Sequence, residues 1–98
     1  MNVNKFLVHV PFAPIPTQTA ILNFVRSAGW AFWHWGAETW FLVTPEQIDA
    51  AQLIEKMNAI APGIKIVVLR VQVPQNGANW GCIGPSEWGQ WLRESWEK

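Results

Sequence analysis

A run of twelve residues, "WAFWHWGAETWF" at positions 30–41, constrains the fold of this chain more than any other feature. It contains four tryptophans and two phenylalanines, and Gly36 interrupts it. The residues on either side of this glycine, 30–35 and 38–43, are rich in the aromatic and β-branched side chains that strands favour. The run therefore predicts a β-hairpin with its turn at Gly36 and the following alanine.

The segment before the hairpin predicts a strand followed by a helix. "KFLVHV" at residues 5–10 is dense in strand-forming side chains, and the prolines of "PFAPIP" end it because proline cannot donate to a ladder. Thr17 is expected to cap a helix that runs to about Ala28, where Gly29 stops it. The apolar side chains of this segment recur at helical spacing.

The clearest local signal after the hairpin is "TPEQ". It predicts a helix with Thr44 as the N-cap, Pro45 at the first helical position and Gln47 completing a capping box. An apolar face follows at helical spacing, and Pro62 and Gly63 are expected to end the helix.

The last part of the chain predicts one long strand and a tail. "IKIVVLRVQV" at residues 64–73 begins with apolar side chains on both faces, as in a central strand. Residues 74–84 are expected to be loop. The closing segment, residues 85–98, predicts a short helix whose aromatic face is formed by Trp88, Trp91 and Trp96.

The predicted order is strand, helix, strand, strand, helix, strand, and it is typical of an α+β fold. It matches a ferredoxin-like βαββαβ sandwich, in which two helices cover one face of an antiparallel sheet. We therefore expect a single domain over residues 1–98. The tail, residues 74–98, is too short to be stable by itself, so it is expected to dock on its own sheet or on that of a partner subunit.

Composition limits the function classes. Half of the 98 residues are apolar and 14% are charged, which leaves little charge to cover the surface of a small monomer and favours an oligomer or a standing partner. Seven basic and seven acidic residues cancel, and this is a poor basis for general nucleic-acid binding. The single cysteine, Cys82, fits a reducing compartment. Neither a signal peptide nor a membrane span is recognisable, so we expect a soluble, cytoplasmic protein.

Several segments, taken in order, resemble a known family. "KFLVHV", "ETWFLVT", "IKIVVLRV" and "GCIGPSEWGQWL" are similar to segments of the small CRISPR-associated endoribonuclease family of the adaptation complex, and especially of its SinR-like genomic relatives. The resemblance spans most of the chain and is carried by hydrophobic patterns. It implies a ferredoxin-like fold and a symmetric homodimer whose C-terminal segment reaches the partner's sheet.

One departure from the family bears on catalysis. Members with nuclease activity carry an aspartate just after the first strand, where two such carboxylates across a dimer would hold a divalent metal. The equivalent position is most nearly Pro11, which has no side-chain oxygen, and no Asp or Glu precedes Glu38. The resemblance therefore implies the fold and the dimer without the activity. A nuclease would need other carboxylates, such as Glu38 and Asp49, to converge.

The tryptophans have two interpretations. Exposed aromatic rings on a sheet can stack bases, but such platforms are usually interleaved with basic residues, and none occurs between residues 27 and 55. Packing in the core and at a protein interface is the favoured interpretation. The candidate binding residues, for an interface or for stacking, are Trp33, Trp35, Trp80, Trp88, Trp91, Trp96 and Arg70.

The histidines, the cysteine and the basic residues do not form a recognisable catalytic or metal-binding motif. His9, His34 and Cys82 share no metal-ligand spacing, so no metal or cofactor is expected. Arg70, with Lys65, Lys5 and Arg26, forms either a solvated rim or phosphate contacts shared across a dimer axis.

Three functions remain open from the sequence. The favoured one is a non-catalytic homodimeric binding or scaffold protein in a nucleic-acid-associated or phage-defence setting. The alternatives are a metal-dependent nuclease of the same family, and an inhibitor or toxin-type module that binds an unrelated protein.

Overall fold

The computed structural model of the chain describes residues 2–36, 38–72 and 81–96, with Trp35 described by its backbone only. Seven regular elements and a final π-helical turn follow one another along the described chain. In order they are β1 (Val3–His9), α1 (Ile15–Ala28), β2 (Ala31–Trp35), β3 (Thr39–Pro45), α2 (Ala50–Ile60), β4 (Val67–Val71), α3 (Ser86–Trp91) and the π-helical turn Leu92–Trp96. The last two are continuous and are called the tail helix below.

The four strands form one antiparallel sheet in the order β2-β3-β1-β4, so the α+β class is confirmed. The central strands are β3 and β1, and the edges are β2 and β4. The predicted hairpin is also confirmed, since Trp35 pairs with Thr39 and Gly36 has φ 65°, a left-handed conformation that glycine adopts without cost. Val10 and Pro11, which follow β1, lie beside the start of this hairpin's second strand, where the Val10 N–H donates to the carbonyl of Glu38 at 2.8 Å.

The hydrophobic core lies between one face of the sheet and the helices α1 and α2. Alternate side chains of the central strands point into it, because successive strand residues face opposite sides. All of its members are almost completely buried, and each such side chain stabilises the fold by about 1.5–3 kcal/mol. They are Phe6, Val8, Val10, Ile21, Val25, Trp40, Leu42, Leu53 and Met57.

The start of α1 differs from the prediction. The helix begins at Ile15, with Pro14 as an N-cap that makes no side-chain hydrogen bond, so the expected cap at Thr17 is wrong. Pro16 lies in the first turn, where its missing N–H costs nothing because that donor has no intrahelical partner. The end is as predicted, since Gly29 is the C-cap with φ 74°.

The start of α2 also differs, because tertiary hydrogen bonds hold "TPEQ" out of the helix. Thr44 is buried in β3, where it pairs with Asn4 of β1. The Asn4 amide donates to the carbonyls of Glu46, at 3.0 Å, and Ile48, at 2.8 Å. The helix begins only after Asp49, so the predicted cap at Thr44 is wrong.

A different capping box starts α2. The Gln52 N–H donates to the Asp49 carboxylate at 2.8 Å, and the Asp49 N–H donates to the Gln52 side-chain oxygen at 2.9 Å. The sequence carries this signal as "DAAQ", an acceptor followed three residues later by glutamine.

The last strand of the sheet is shorter than predicted and lies elsewhere in it. We expected a long strand over residues 64–73 with a central first half, whereas β4 covers only Val67–Val71 and lies at an edge. Its register pairs Val67 with His9, so extending it backwards would set Lys65 opposite Pro11, which has no N–H to donate. The end of the predicted strand, residue 73, lies outside the described residues.

Candidate functional site

Strand β2 divides its aromatic side chains between the two faces of the sheet. On the helix-covered face the His34 ring stacks on Trp40, with centroids 3.5 Å apart and planes inclined by 10°. On the opposite face the Trp33 ring contacts Trp88 and Trp91 of the tail helix. Trp33 and His34 thus face opposite sides of the sheet, as neighbouring strand residues do, and Trp33 belongs to a second aromatic assembly outside the core.

The tail helix packs its aromatic face on the helix-free face of the sheet. The Trp33 centroid lies 6.4 Å from Trp88 and 6.0 Å from Trp91. The Phe41 ring of β3 lies 6.3 Å from Trp91 and 5.1 Å from Trp96, whose side chain is 6% exposed. Such pairs contribute about 0.5–1.5 kcal/mol each beyond their buried area. We call these five residues the aromatic cluster; they fix the tail on the chain's own sheet.

The aromatic cluster encloses a cavity of about 160 Å³. Leu92, Gly81 and the exposed Cys82 complete its lining. Gly84 sets the position of one wall, because a side-chain carbon at this residue would overlap the six-membered ring of Trp88. The indole therefore packs directly against the backbone before α3, and none of the described lining residues is charged.

The other half of the helix-free face carries exposed apolar side chains on β4, beside His9 and Lys5 of β1. The register places Trp33, Phe41, Leu7 and Leu69 in one row across the sheet. The tail covers the Trp33 end of this row, whereas Leu69 at the other end is 54% exposed and the neighbouring Val67 on β4 is 53% exposed. We call Leu7, Val67 and Leu69 the tail-free half of the sheet. Two large aliphatic side chains on an edge strand are thus left in solvent.

Arg70 does not join the aromatic cluster, whereas Lys5 lies on the helix-free face, where it pairs in register with Val43 and Val71. Arg70 is exposed and pairs in register with Phe6 of the core row, so it points to the opposite face from Leu69 and Trp33. Lys5 is nearly buried in β1, and this burial lowers the pKa of its ammonium group. An arginine separated from the aromatic rings by the sheet cannot bind the phosphate of a base stacked on them.

The carboxylates named as catalytic alternatives lie at opposite ends of β3. The Glu38 carboxylate, just before β3, accepts a hydrogen bond from the Phe12 N–H at 2.7 Å. Asp49, beyond the other end, is occupied as the N-cap of α2. The seven residues of β3 between them span about 20 Å. The two groups therefore cannot hold one metal ion within a single chain.

The remaining candidate groups are also dispersed. His9 lies on the helix-free face, with Nδ1 3.4 Å from the Thr39 hydroxyl, and His34 lies on the helix-covered face. Cys82 lies beside the aromatic cluster. Within residues 2–36, 38–72 and 81–96, no group of three His, Cys, Asp or Glu side chains is arranged to hold a metal ion. Trp80 lies outside the described residues, and so does the side chain of Trp35.

The sequence reasoning missed Phe12 in the connection between β1 and α1. Its φ of 55° is rare for a residue with a side chain, and the residue is 91% exposed. With Ile15, which is 77% exposed, it lies at the β1–α1 connection, part of which lines a groove of about 550 Å³. The only sequence signal was "PFAPIP", which places an aromatic residue among prolines.

Comparisons of the chain with protein-family models, with curated proteins and with solved structures found no match. The candidate site therefore rests on its own geometry. Among the helices of the described residues, none has the length and apolar character needed to cross a bilayer.

Proposed function

We propose that this chain is a ferredoxin-like, non-catalytic binding protein that acts as a homodimer, with the tail-free half of its sheet as the contact between the two copies. The sequence of elements and the strand order β2-β3-β1-β4 support the ferredoxin-like assignment. The resemblance to the CRISPR adaptation subunit supports a nucleic-acid-associated or phage-defence setting for this binding role.

The exposure of Leu69 carries the proposal. A leucine that is 54% exposed, beside a valine that is 53% exposed, leaves a continuous apolar surface on an edge strand. Removing such surface from water contributes about 25 cal/mol per Å². An edge strand also presents unpaired backbone donors and acceptors, which a second strand can satisfy. A copy of the same chain offers both the matching apolar face and the matching edge.

A binding role rather than catalysis is supported by the carboxylates. Pro11 stands where the family's metal-binding aspartate is expected, and the nearest carboxylate, Glu38, accepts a backbone hydrogen bond. Asp49 is held at the other end of β3. Glu38 and Asp49 are thus engaged in structural hydrogen bonds at opposite ends of β3, which supports a binding role over water activation by a metal held between them.

A matched pair of variants tests the dimer. Leu69→Lys places a charge in the proposed interface, and Ile54→Lys places the same charge on an exposed apolar position of α2, where Ile54 is 41% exposed. Sedimentation equilibrium should show at least a tenfold weaker association for Leu69→Lys and no change for Ile54→Lys. Equal association of both variants with the unmodified protein would remove the tail-free half as the interface.

A cleavage assay tests the absence of catalysis. Purified protein is incubated with single-stranded and double-stranded RNA and DNA, with magnesium, with manganese and with a chelator. We expect no cleavage that the chelator suppresses. Metal-dependent cleavage that is lost in Glu38→Gln would instead establish the nuclease alternative.

A further inference from the structure

We propose that the cavity within the aromatic cluster is a binding site for a methylated ammonium group, such as the trimethylammonium head of choline. The proposal goes beyond the dimer, because the cavity lies under the tail helix and the proposed dimer contact lies on the tail-free half. Five aromatic rings line the cavity, with Leu92, Gly81 and Cys82.

The arrangement of the walls carries the inference. The Trp33 and Trp88 rings are inclined by 81° with centroids 6.4 Å apart, and the Trp33 and Trp91 rings are inclined by 48° with centroids 6.0 Å apart. Three indoles therefore line the space with differently inclined planes. Cation–π attraction acts over roughly 6 Å from a ring centroid, so a cation held in this cavity can interact with more than one ring.

The size of the cavity selects the head group. Its volume is about 160 Å³, and an apolar cavity of about 150 Å³ accommodates benzene, which is similar in size to tetramethylammonium. A whole nucleotide is too large to enter. The site thus suits one compact group, with the rest of a larger ligand outside.

The chemistry of the lining selects a methylated cation. Among the described residues, no lysine, arginine, histidine, carboxylate or amide side chain lines the cavity, so a bound group there contacts mainly aromatic rings. An ammonium with N–H groups would lose its water without replacement. A quaternary ammonium has no N–H and is weakly hydrated, so the aromatic faces can compensate for its transfer from water.

The cavity is also accessible from solvent. Cys82, which lines it, is exposed, and Trp33, Trp88 and Trp91 are each only partly buried. Cys82 is the single cysteine of the chain, so its thiol is a selective reporter of occupancy.

The test uses the unmodified protein and two probes of the same shape. Choline carries a trimethylammonium group, and 3,3-dimethylbutan-1-ol carries a neutral tert-butyl group in its place. The indole N–H resonances of the eight tryptophans are followed in ¹⁵N-labelled protein as each probe is added. We expect choline to shift the resonances of Trp33, Trp88 and Trp91, with at least tenfold tighter binding than the alcohol.

Variants locate the binding. Trp88→Leu removes one wall and should weaken choline binding about tenfold, while Trp88→Phe should weaken it less because a ring remains. Trp30→Leu is the matched control, since Trp30 packs against Phe24 and does not line the cavity; it should bind choline within about twofold of the unmodified protein. Choline should also slow alkylation of Cys82 in the unmodified protein.

Two ligands with the same trimethylammonium group distinguish a small-molecule ligand from a modified protein side chain. Choline represents a free small molecule, and N-acetyl-trimethyllysine amide represents a modified side chain; the tighter ligand identifies the class. Equal binding of choline and 3,3-dimethylbutan-1-ol would overturn the proposal in favour of a general apolar cavity. Absence of any shift at millimolar choline would overturn it as well. Neither result affects the dimer, which is measured separately by sedimentation.

Discussion

Phe41 on β3 and Trp96 at the end of the tail helix stack with ring centroids 5.1 Å apart and planes inclined by 26°. This contact joins two residues 55 positions apart in the chain and covers an apolar strand residue that would otherwise face solvent. The tail helix is thereby packed against the sheet, and its aromatic side chains have a structural role besides any binding role.

Removing the last indole should destabilise the protein. Trp96→Ala deletes a side chain that is 6% exposed and leaves a space beside Phe41, and such changes cost about 3–5 kcal/mol. Chemical denaturation followed by circular dichroism measures the free energy of unfolding. Ile83→Ala, at a residue that is 98% exposed, is the control and should change it by less than about 0.5 kcal/mol. Equal stability of the two variants would mean that the tail does not dock.

The capping box of α2 predicts a smaller loss. Asp49→Ala removes the acceptor for the Gln52 N–H and should lower the free energy of unfolding by about 1 kcal/mol. Asp49→Asn retains an acceptor and should lose much less. If both variants lose the same amount, the charge of Asp49 rather than its hydrogen bond stabilises the helix.

The fold was largely predictable because its local signals agree with its contacts. Alternation in the hairpin, the stop at Gly29 and the aromatic spacing of the tail depend on neighbours in sequence. The helix start predicted from "TPEQ" was wrong because the side-chain amide of Asn4, more than forty residues earlier, donates hydrogen bonds to the carbonyls of Glu46 and Ile48. No local pattern contains that contact.

The candidate site was predictable in its residues and not in its arrangement. The tryptophans were identified from composition and spacing, but the cavity depends on where the tail crosses the sheet. The start of β4 at Val67 rather than at residue 64 depends on Pro11, whose missing N–H ends the pairing with β1. Likewise, strand alternation places Arg70 on the opposite face from Leu69 only once the register with Phe6 is known.

The buried ammonium of Lys5 predicts a pH dependence of stability. Burial lowers its pKa below the ordinary 10.5, so the unfolded chain binds the proton more strongly than the folded one. Below the pKa of Lys5 in the folded protein, the charged side chain destabilises the fold to its full extent. As pH rises from that pKa through 10.5, this destabilisation disappears, so the free energy of unfolding should increase over that interval. Unfolding of the unmodified protein and of Lys5→Met, compared at pH 7 to 11, should converge in free energy as pH rises. A constant difference would contradict this.

The close packing of Gly84 on an indole predicts that the cavity is sensitive to one methyl group. Gly84→Ala should displace the Trp88 ring, because the new carbon would overlap it. The indole N–H resonance of Trp88 should move and choline binding should weaken. Gly63→Ala, at a glycine with no atom near the added carbon, tests for general effects and should leave that resonance in place. An unmoved Trp88 resonance in Gly84→Ala would contradict the packing.

The molar mass of the unmodified protein in solution tests the central proposal most directly. Light scattering coupled to size-exclusion chromatography, over a hundredfold range of concentration, should give about 22 kDa, twice the 11.1 kDa of one chain. A mass of 11.1 kDa at every concentration would mean that the exposed Leu69 and Val67 remain in solvent, and the homodimer would be wrong.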